Sequence, residues 1–440
     1  MNVRGISLIV VLMLSVVEAA CSTADQTPPA SLSAGSYAAI IRPIKESVER
    51  GDLPGVVAQV VDRDGVLYEA AAGELDARSG SPMQLDAIFP VASMTKPVTS
   101  VAVMILLEEG HLELDAPVSM YLPMLEHPEV LTRFNPTDGT FETAPAKNVM
   151  TIRHLLTHTS GIAYGFTSPA LARQLSSSPR GEWEFPLLHE PGERWTYGAS
   201  TAVLGIIVEK ITGEPLEAYF QRRIFQPLGM NDTSYAVASE KRSRVVLPSV
   251  RAEGGFAVAP DIVPGVPLTP PIIPPASVRG DYGLYSTAHD YGLFVRMLLN
   301  RGTLGSAHII SEDSVKLMGQ NHIGSLFVEA QAVGIPELAT LTRPFPLGAG
   351  RDKFGLGFQI ASESDDTRTH RGAGSLSWAG IFNTEFWIDP ELQLGAVHLA
   401  SSLPFYDEGA IRSLREFEAA AYSIARHPAA PVRAAAAAGL

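Results

Sequence analysis

The residues best suited to covalent chemistry lie in Ser93-Met94-Thr95-Lys96. Ser93 and Lys96 are three positions apart, about one helical turn, so the amine can reach the hydroxyl from the same face of a helix. A buried lysine with a lowered pKa can take the serine proton, and backbone N–H groups at a helix start can stabilise the oxyanion formed on attack. The spacing alone carries little weight. With 36 Ser and 7 Lys in 440 residues, random placement gives about half an occurrence. An N-cap serine beside a solvated lysine explains the tetrapeptide equally well. Pro97 biases Lys96 away from helical angles, although a proline this early in a helix removes at most one hydrogen bond.

Two further segments supply what the pair lacks. Tyr197-Gly198-Ala199 follows Pro191-Gly192-Glu193-Arg194-Trp195, and a tyrosine in a turn before a helix can lend its hydroxyl to proton transfer. A packed aromatic with a hydrogen-bonded hydroxyl is the blander reading. Trp378-Ala379-Gly380 precedes a β-rich run, Ile381 to Ile388. Small residues on an edge strand let a ligand approach the backbone. The N–H of Ile381 could then pair with that of Ser93 as an oxyanion hole, with Trp378, Ala379 and Gly380 lining the pocket.

The elements that must position these groups follow from patterning. Gly55 to Val61 and Gly65 to Ala72 are β-rich runs joined by Asp62-Arg63-Asp64 and read as a hairpin, preceded by a helix at 37–50. Gly355 to Ile360, Ile381 to Ile388 and Leu392 to Leu399 are strand-like, followed by a helix from Glu408 to Arg426. Helical signals occupy Val98 to Glu109, Ile152 to Leu156, Thr201 to Ile211 and Leu216 to Ile224. The expectation is an α/β fold: an antiparallel sheet from both chain ends, flanked by helices, with a mainly helical insertion. The α/β part is expected at 36–95 and 290–427 and the helical part at 96–289. Residues 257–275 hold seven prolines, which suits an extended loop beside the pocket rather than a helix or central strand.

Both ends read differently from the folded part. Residues 1–20 resemble an export signal, with Arg4, an apolar run from Ile6 to Val17 too short to span a bilayer, and small Ala19-Ala20. Export to the periplasm or medium is expected. Cys21 sits where a lipid anchor would attach, but Glu18 replaces the usual aliphatic residue, so simple cleavage is preferred. Residues 21–35 read as a linker and 428–440 as a low-complexity tail. No later stretch is apolar enough for a transmembrane segment in the mature chain.

Composition removes several functions. A net charge of −14 opposes nucleic acid as a partner. A single cysteine excludes an internal disulfide and multi-thiolate zinc sites. No G-x-S-x-G elbow occurs. His154 and His158 have the i, i+4 spacing of zinc ligands, but Leu155 replaces the glutamate of H-E-x-x-H, and His158 reads as a structural hydrogen-bonding residue. Gly355-Leu356-Gly357-Phe358 lacks the third glycine of a dinucleotide loop. His370 is expected to cap the turn at Arg371-Gly372-Ala373-Gly374. The chemistry needs no metal or organic cofactor.

In order and separation, Ser93-x-x-Lys96, Tyr197 and Trp378-Ala379-Gly380 resemble the three active-site elements of the serine β-lactamase and penicillin-binding-protein superfamily. Leu155-Leu156-Thr157-His158-Thr159-Ser160-Gly161 and Gly283-Leu284-Tyr285-Ser286-Thr287 look like further segments of its class C-like branch. The likeness covers roughly 36–427 and is nearest to the family VIII carboxylesterases. It implies Ser93 as acylated nucleophile, Lys96 as its activator, Tyr197 as general base and later proton donor, and Ile381 as a backbone donor. Two departures matter. Ala199 stands where a class C β-lactamase would have asparagine, and Trp378-Ala379-Gly380 where it would have Lys-Thr-Gly. Loss of that lysine removes a partner for a substrate carboxylate and offers an apolar wall instead. The implied function is hydrolysis of small-molecule esters with short or medium acyl chains. A β-lactamase or D-alanyl-D-alanine-type peptidase or transesterase is the alternative, and a non-catalytic module binding cell-wall peptides is the rival of another class.

Overall fold

The computed structural model describes residues 34–77, 80–168, 170–171, 181–259, 269–331, 345–362 and 371–426. The expected leader, Cys21, His370, residues 428–440 and most of the proline-rich centre at 260–268 lie outside them.

Seven strands form one antiparallel sheet. In chain order they are β1 (Gly55–Asp62), β2 (Val66–Gly73), β3 (Lys353–Phe354), β4 (Gln359–Ile360), β5 (Leu376–Gly380), β6 (Thr384–Asp389) and β7 (Leu394–Ala400). Their spatial order is β3-β4-β5-β6-β7-β1-β2, so β1 from the start of the chain seats beside β7 from the end, with Val57 opposite Leu399. The β1–β2 turn closes because Asp62 Oδ1 accepts the N–H groups of Asp64 and Gly65, both at 2.8 Å.

The pleat sends alternate side chains to two cores. Val56, Ala58 and Val60 pack with Ile44 of α1 (Ala34–Glu49) and with Leu414 and Phe417 of α6 (Glu408–Arg426). Val57 and Val61 face the larger core, shared with α2 (Thr95–Glu108), α4 (Ser200–Thr212) and α5 (Ala288–Leu299). α2 is buried from Thr95 to Leu106, which explains its near-continuous apolar sequence: a helix wrapped by protein has no solvent face to keep polar. Between α2 and α4 lies the short α3 (Ile152–Leu156). α4 meets the segment after the proline-rich loop at Gly205 and Gly280, where a Cβ on Gly205 would lie 2.9 Å from the Gly280 nitrogen.

The sheet from both chain ends is as anticipated, but two strands are not. Gly355 to Ile360 is no single strand. β3 and β4 form a tight hairpin around Gly355–Phe358, and Gly357 turns with φ +97°. Ile381 to Ile388 is also interrupted: β5 ends at Gly380, Ile381–Asn383 is the turn, and β6 starts at Thr384. Asn383 supports that turn with φ +60°, a conformation its short polar side chain tolerates. The expected border at 95/96 falls inside α2 and that at 289/290 inside α5. The middle region also holds a β-hairpin, Glu129–Phe134 with Phe141–Pro145.

Candidate active site

The polypeptide enters α2 through a strained corner. Ala92 has φ +44°, unusual for a residue with a Cβ. Its side chain is held in a small cluster with Ala259, Phe382 and Leu403. A single 3₁₀ turn, Ala92–Met94, then leads into α2. From Val91 to Leu106 every residue is buried except Ser93, so the corner presents one hydroxyl to the outside. Thr95 Oγ1 donates to Ala92 O at 2.7 Å and Tyr291 Oη to Met94 O at 2.8 Å, bracing the turn on both sides.

Lys96 lies one turn on, 2 % exposed, with Nζ 3.1 Å from Ser93 Oγ. Burial drives its pKa down from 10.5 to about 7, against the opposing pull of Asp281. Tyr197 approaches from the far side, its hydroxyl donating to Ser93 Oγ at 2.7 Å. Burial pushes this phenol well above its usual range, so it rests protonated. The turn before α4 aims it there. A Cβ at Gly198 would sit 2.1 Å from Ile162 O, so only glycine lets 197–199 seat against 161–164. Ser93, Lys96 and Tyr197, picked out on spacing and order, thus meet around one oxygen atom.

Trp378, Ala379 and Gly380 end β5 instead of preceding a strand. β5 is internal to the sheet, yet β4 pairs only with Leu376 and Ser377. The backbone at 378–380 therefore runs past its neighbour, which supplies the open edge that the small residues suggested. Gly380 is required by contact: a Cβ there would lie 2.4 Å from Val91 O. Ile381 follows in the turn and packs against the cluster holding Ala92. The Trp378 ring lies 5.1 Å from Tyr197, 5.9 Å from Phe345 and 5.4 Å from Phe354, making one wall of the site aromatic.

His158 belongs to that wall. It stacks on Trp378 at 6.2 Å and meets Tyr197 edge-on at 5.1 Å. Its backbone carbonyl accepts the Thr196 N–H at 2.8 Å, while its Nδ1 is buried with no partner among the described residues. Burial, with Lys96 nearby, keeps its pKa well below the usual value. His154 instead caps its own helix, Nδ1 accepting the Thr151 N–H. Among the described residues no cluster of three or more His, Cys, Asp or Glu is arranged to hold a metal.

Sequence reasoning missed the polar chain behind Lys96. Nζ also contacts Tyr164 Oη at 2.9 Å and donates to Asp281 O at 2.8 Å. Tyr164 Oη donates to Asp281 Oδ2 at 2.5 Å, and Arg279 grips the same carboxylate through Nε and Nη2, both at 2.9 Å. Burial opposes ionisation of Asp281, but Arg279, with help from Lys96 and Tyr164, holds the carboxyl below its ordinary pKa. Glu182 closes the chain on Arg279 at 3.0 Å. Both missed residues adjoin recognised segments: Tyr164 stands three places after Gly161, and Asp281 two before Gly283.

An accessible serine between a buried lysine and a buried tyrosine at a helix start, beside the end of an antiparallel strand, defines the serine-active class built on the β-lactamase fold. Sequence comparison agrees. Residues 40–421 match the family described as Beta-lactamase, and the chain belongs to that family. Lovastatin esterase of Penicillium rubens is 30% identical, over 80% of this chain and 89% of its own length. Acyltransferase calJ of Penicillium decumbens is 29% identical, over 82% and 91%. Among solved structures, the LovD6 mutant of simvastatin synthase from Aspergillus terreus superposes with a TM-score of 0.75 at 26% identity, covering 89% of this chain and 98% of that one. These likenesses place the chain among hydrolases and acyltransferases of the β-lactamase fold.

Proposed function

We propose that this protein is a carboxylesterase, of the kind grouped as family VIII, that acylates Ser93 with short or medium acyl groups. The observation that carries the reading is Ser93 Oγ held between Tyr197 Oη at 2.7 Å and Lys96 Nζ at 3.1 Å.

Lys96 is the better resting base, because burial lowers its pKa to about 7 while the same burial disfavours a Tyr197 phenolate. As Ser93 Oγ bonds to the ester carbonyl carbon, its proton passes to Lys96 Nζ, giving an ammonium. The carbonyl oxygen takes up the electron pair beside the N–H groups of Ser93 and Ile381. The tetrahedral centre collapses, the bond to the alkoxy oxygen breaks, and Tyr197 gives that oxygen its proton. The proton on Lys96 then restores Tyr197. Water attacks the acyl group in the second half, with the same groups moving protons in reverse order.

Two features favour neutral esters over β-lactams. Trp378 occupies the strand position from which a cation would meet a substrate carboxylate, and the Arg279 guanidinium is already committed to Asp281 and Glu182. Transfer of the acyl group to an alcohol is the second reading, supported by the relative named as an acyltransferase. A panel of p-nitrophenyl acetate, butyrate and longer esters beside nitrocefin tests the proposal. The esters should be turned over at least about a hundredfold faster, a loss of roughly 2.7 kcal/mol in transition-state binding for the lactam. Nitrocefin turning over as fast as the best ester would make the protein a β-lactamase. Export through the leader at 1–20 is part of the same reading, and the N-terminal mass of the mature protein tests it.

A further inference from the structure

We propose that Tyr164, anchored by Asp281, is a positioning residue that fixes the Lys96 amine with its lone pair on Ser93. The proposal rests on Ser93 being the acylated nucleophile.

The hydrogen-bond directions around Lys96 are over-determined. Asp281 O is a backbone carbonyl and can only accept. Tyr164 has one proton, and it is directed at Asp281 Oδ2, 2.5 Å away. That carboxylate is held ionised by two hydrogen bonds from Arg279. The Tyr164 oxygen therefore faces Lys96 with a lone pair and also accepts. A neutral amine has two N–H groups and one lone pair. Both N–H groups are taken, by Asp281 O at 2.8 Å and Tyr164 Oη at 2.9 Å. The remaining direction points at Ser93 Oγ, so the amine accepts the serine proton without rotating. The same geometry suits the ammonium, whose third N–H then lies along the line of transfer.

Other surroundings agree. The charged groups facing Lys96 are Asp281, Arg279 and Glu182, and the titratable ones are Tyr164, Tyr197 and His158. One cation and two carboxylates leave a negative charge that the Lys96 ammonium balances as acylation proceeds. The Tyr164 ring is clamped by stacking on Phe166 at 4.8 Å and by the edge contact with Tyr197 at 5.3 Å, so Tyr164→Phe keeps the packing and loses only the hydroxyl, which is both the acceptor for Lys96 and the donor to Asp281. Ala199, the residue two after Tyr197, has no side-chain acceptor with which to replace it.

The test uses purified full-length protein and p-nitrophenyl butyrate. Tyr164→Phe should lower kcat about 10- to 100-fold with KM within twofold, the scale set by misaligning one reacting group. The circular dichroism spectrum of Tyr164→Phe should match that of the native protein. Asp281→Asn removes a negative charge beside Lys96 and should move the acid limb of the rate profile to lower pH. Native kcat in Tyr164→Phe, or a KM that rises as far as kcat falls, overturns the positioning role. A Tyr164→Phe variant that loses activity while the native enzyme forms no Ser93 adduct with a fluorophosphonate refutes the esterase reading instead.

Discussion

At the scale of the residue, chemistry is concentrated on one oxygen. Ser93→Ala removes the atom proposed to be acylated and should abolish ester turnover, by about 10⁶-fold in kcat as for other serine nucleophiles. Tyr197→Phe keeps the ring packed against Trp378 and Phe345 but loses the hydroxyl, and should cost about 10²- to 10⁴-fold in kcat with an unchanged circular dichroism spectrum. The pH dependence has a definite sign. Lys96 works as a base only when neutral and its pKa is lowered to about 7. The rate should therefore fall roughly tenfold per unit below pH 7 and level off above it. A rate independent of pH between 5 and 8 would remove Lys96 as the base.

At the scale of the element, the site depends on two glycines that let backbones touch. Gly198 seats the Tyr197 turn on Ile162, and Gly380 seats the end of β5 on Val91. Gly380→Ala must move β5 away from the Ser93 corner, because its Cβ would lie 2.4 Å from a backbone oxygen. Its kcat should fall by about tenfold or more, as expected for a lost oxyanion donor, and native kcat would exclude a backbone donor at Ile381. This scale also marks what the sequence could reveal. Ser93, Lys96 and Tyr197 were legible because each lies in a short segment with its own pattern. Tyr164 and Asp281 were not, because their roles exist only through contacts with Lys96 across 68 and 185 residues. The strand read at 381–388 failed for a local reason: Ile-Phe-Asn-Thr-Glu-Phe-Trp-Ile is rich in strand formers on both sides of a turn. Asn383 was the signal within it. Gly355 and Gly357 marked the other missed turn.

At the scale of the whole molecule, the sheet joins the two chain ends and carries a second buried charge cluster behind the site. Arg371 donates to Glu385 of β6 at 3.2 Å and to Glu418 of α6 at 2.6 Å, with its guanidinium over Trp387. One cation between two carboxylates cannot neutralise both. Burial pushes the Glu385 carboxyl from 4.5 up to about 7, although Arg371 pulls it down. Folding therefore takes up a proton between these values, and stability is lost as pH rises through that window. His398 acts in the opposite sense, since burial lowers its pKa to about 4. Comparison with Glu385→Gln removes that contribution. The urea midpoint of the native protein, relative to Glu385→Gln, should decline from pH 4.5 to 7 and then level off. A constant difference would mean that Glu385 titrates alike in the folded and unfolded chains.

Covalent acylation of Ser93 is the central step of the proposed reaction. Peptide-mass analysis of the protein quenched during turnover of a slow ester addresses it most directly. The peptide containing Ser93 should gain the mass of the acyl group, lose it as the carboxylic acid accumulates, and remain unmodified in Ser93→Ala. Turnover with that peptide unmodified throughout, or the acyl mass on another peptide, would contradict the account.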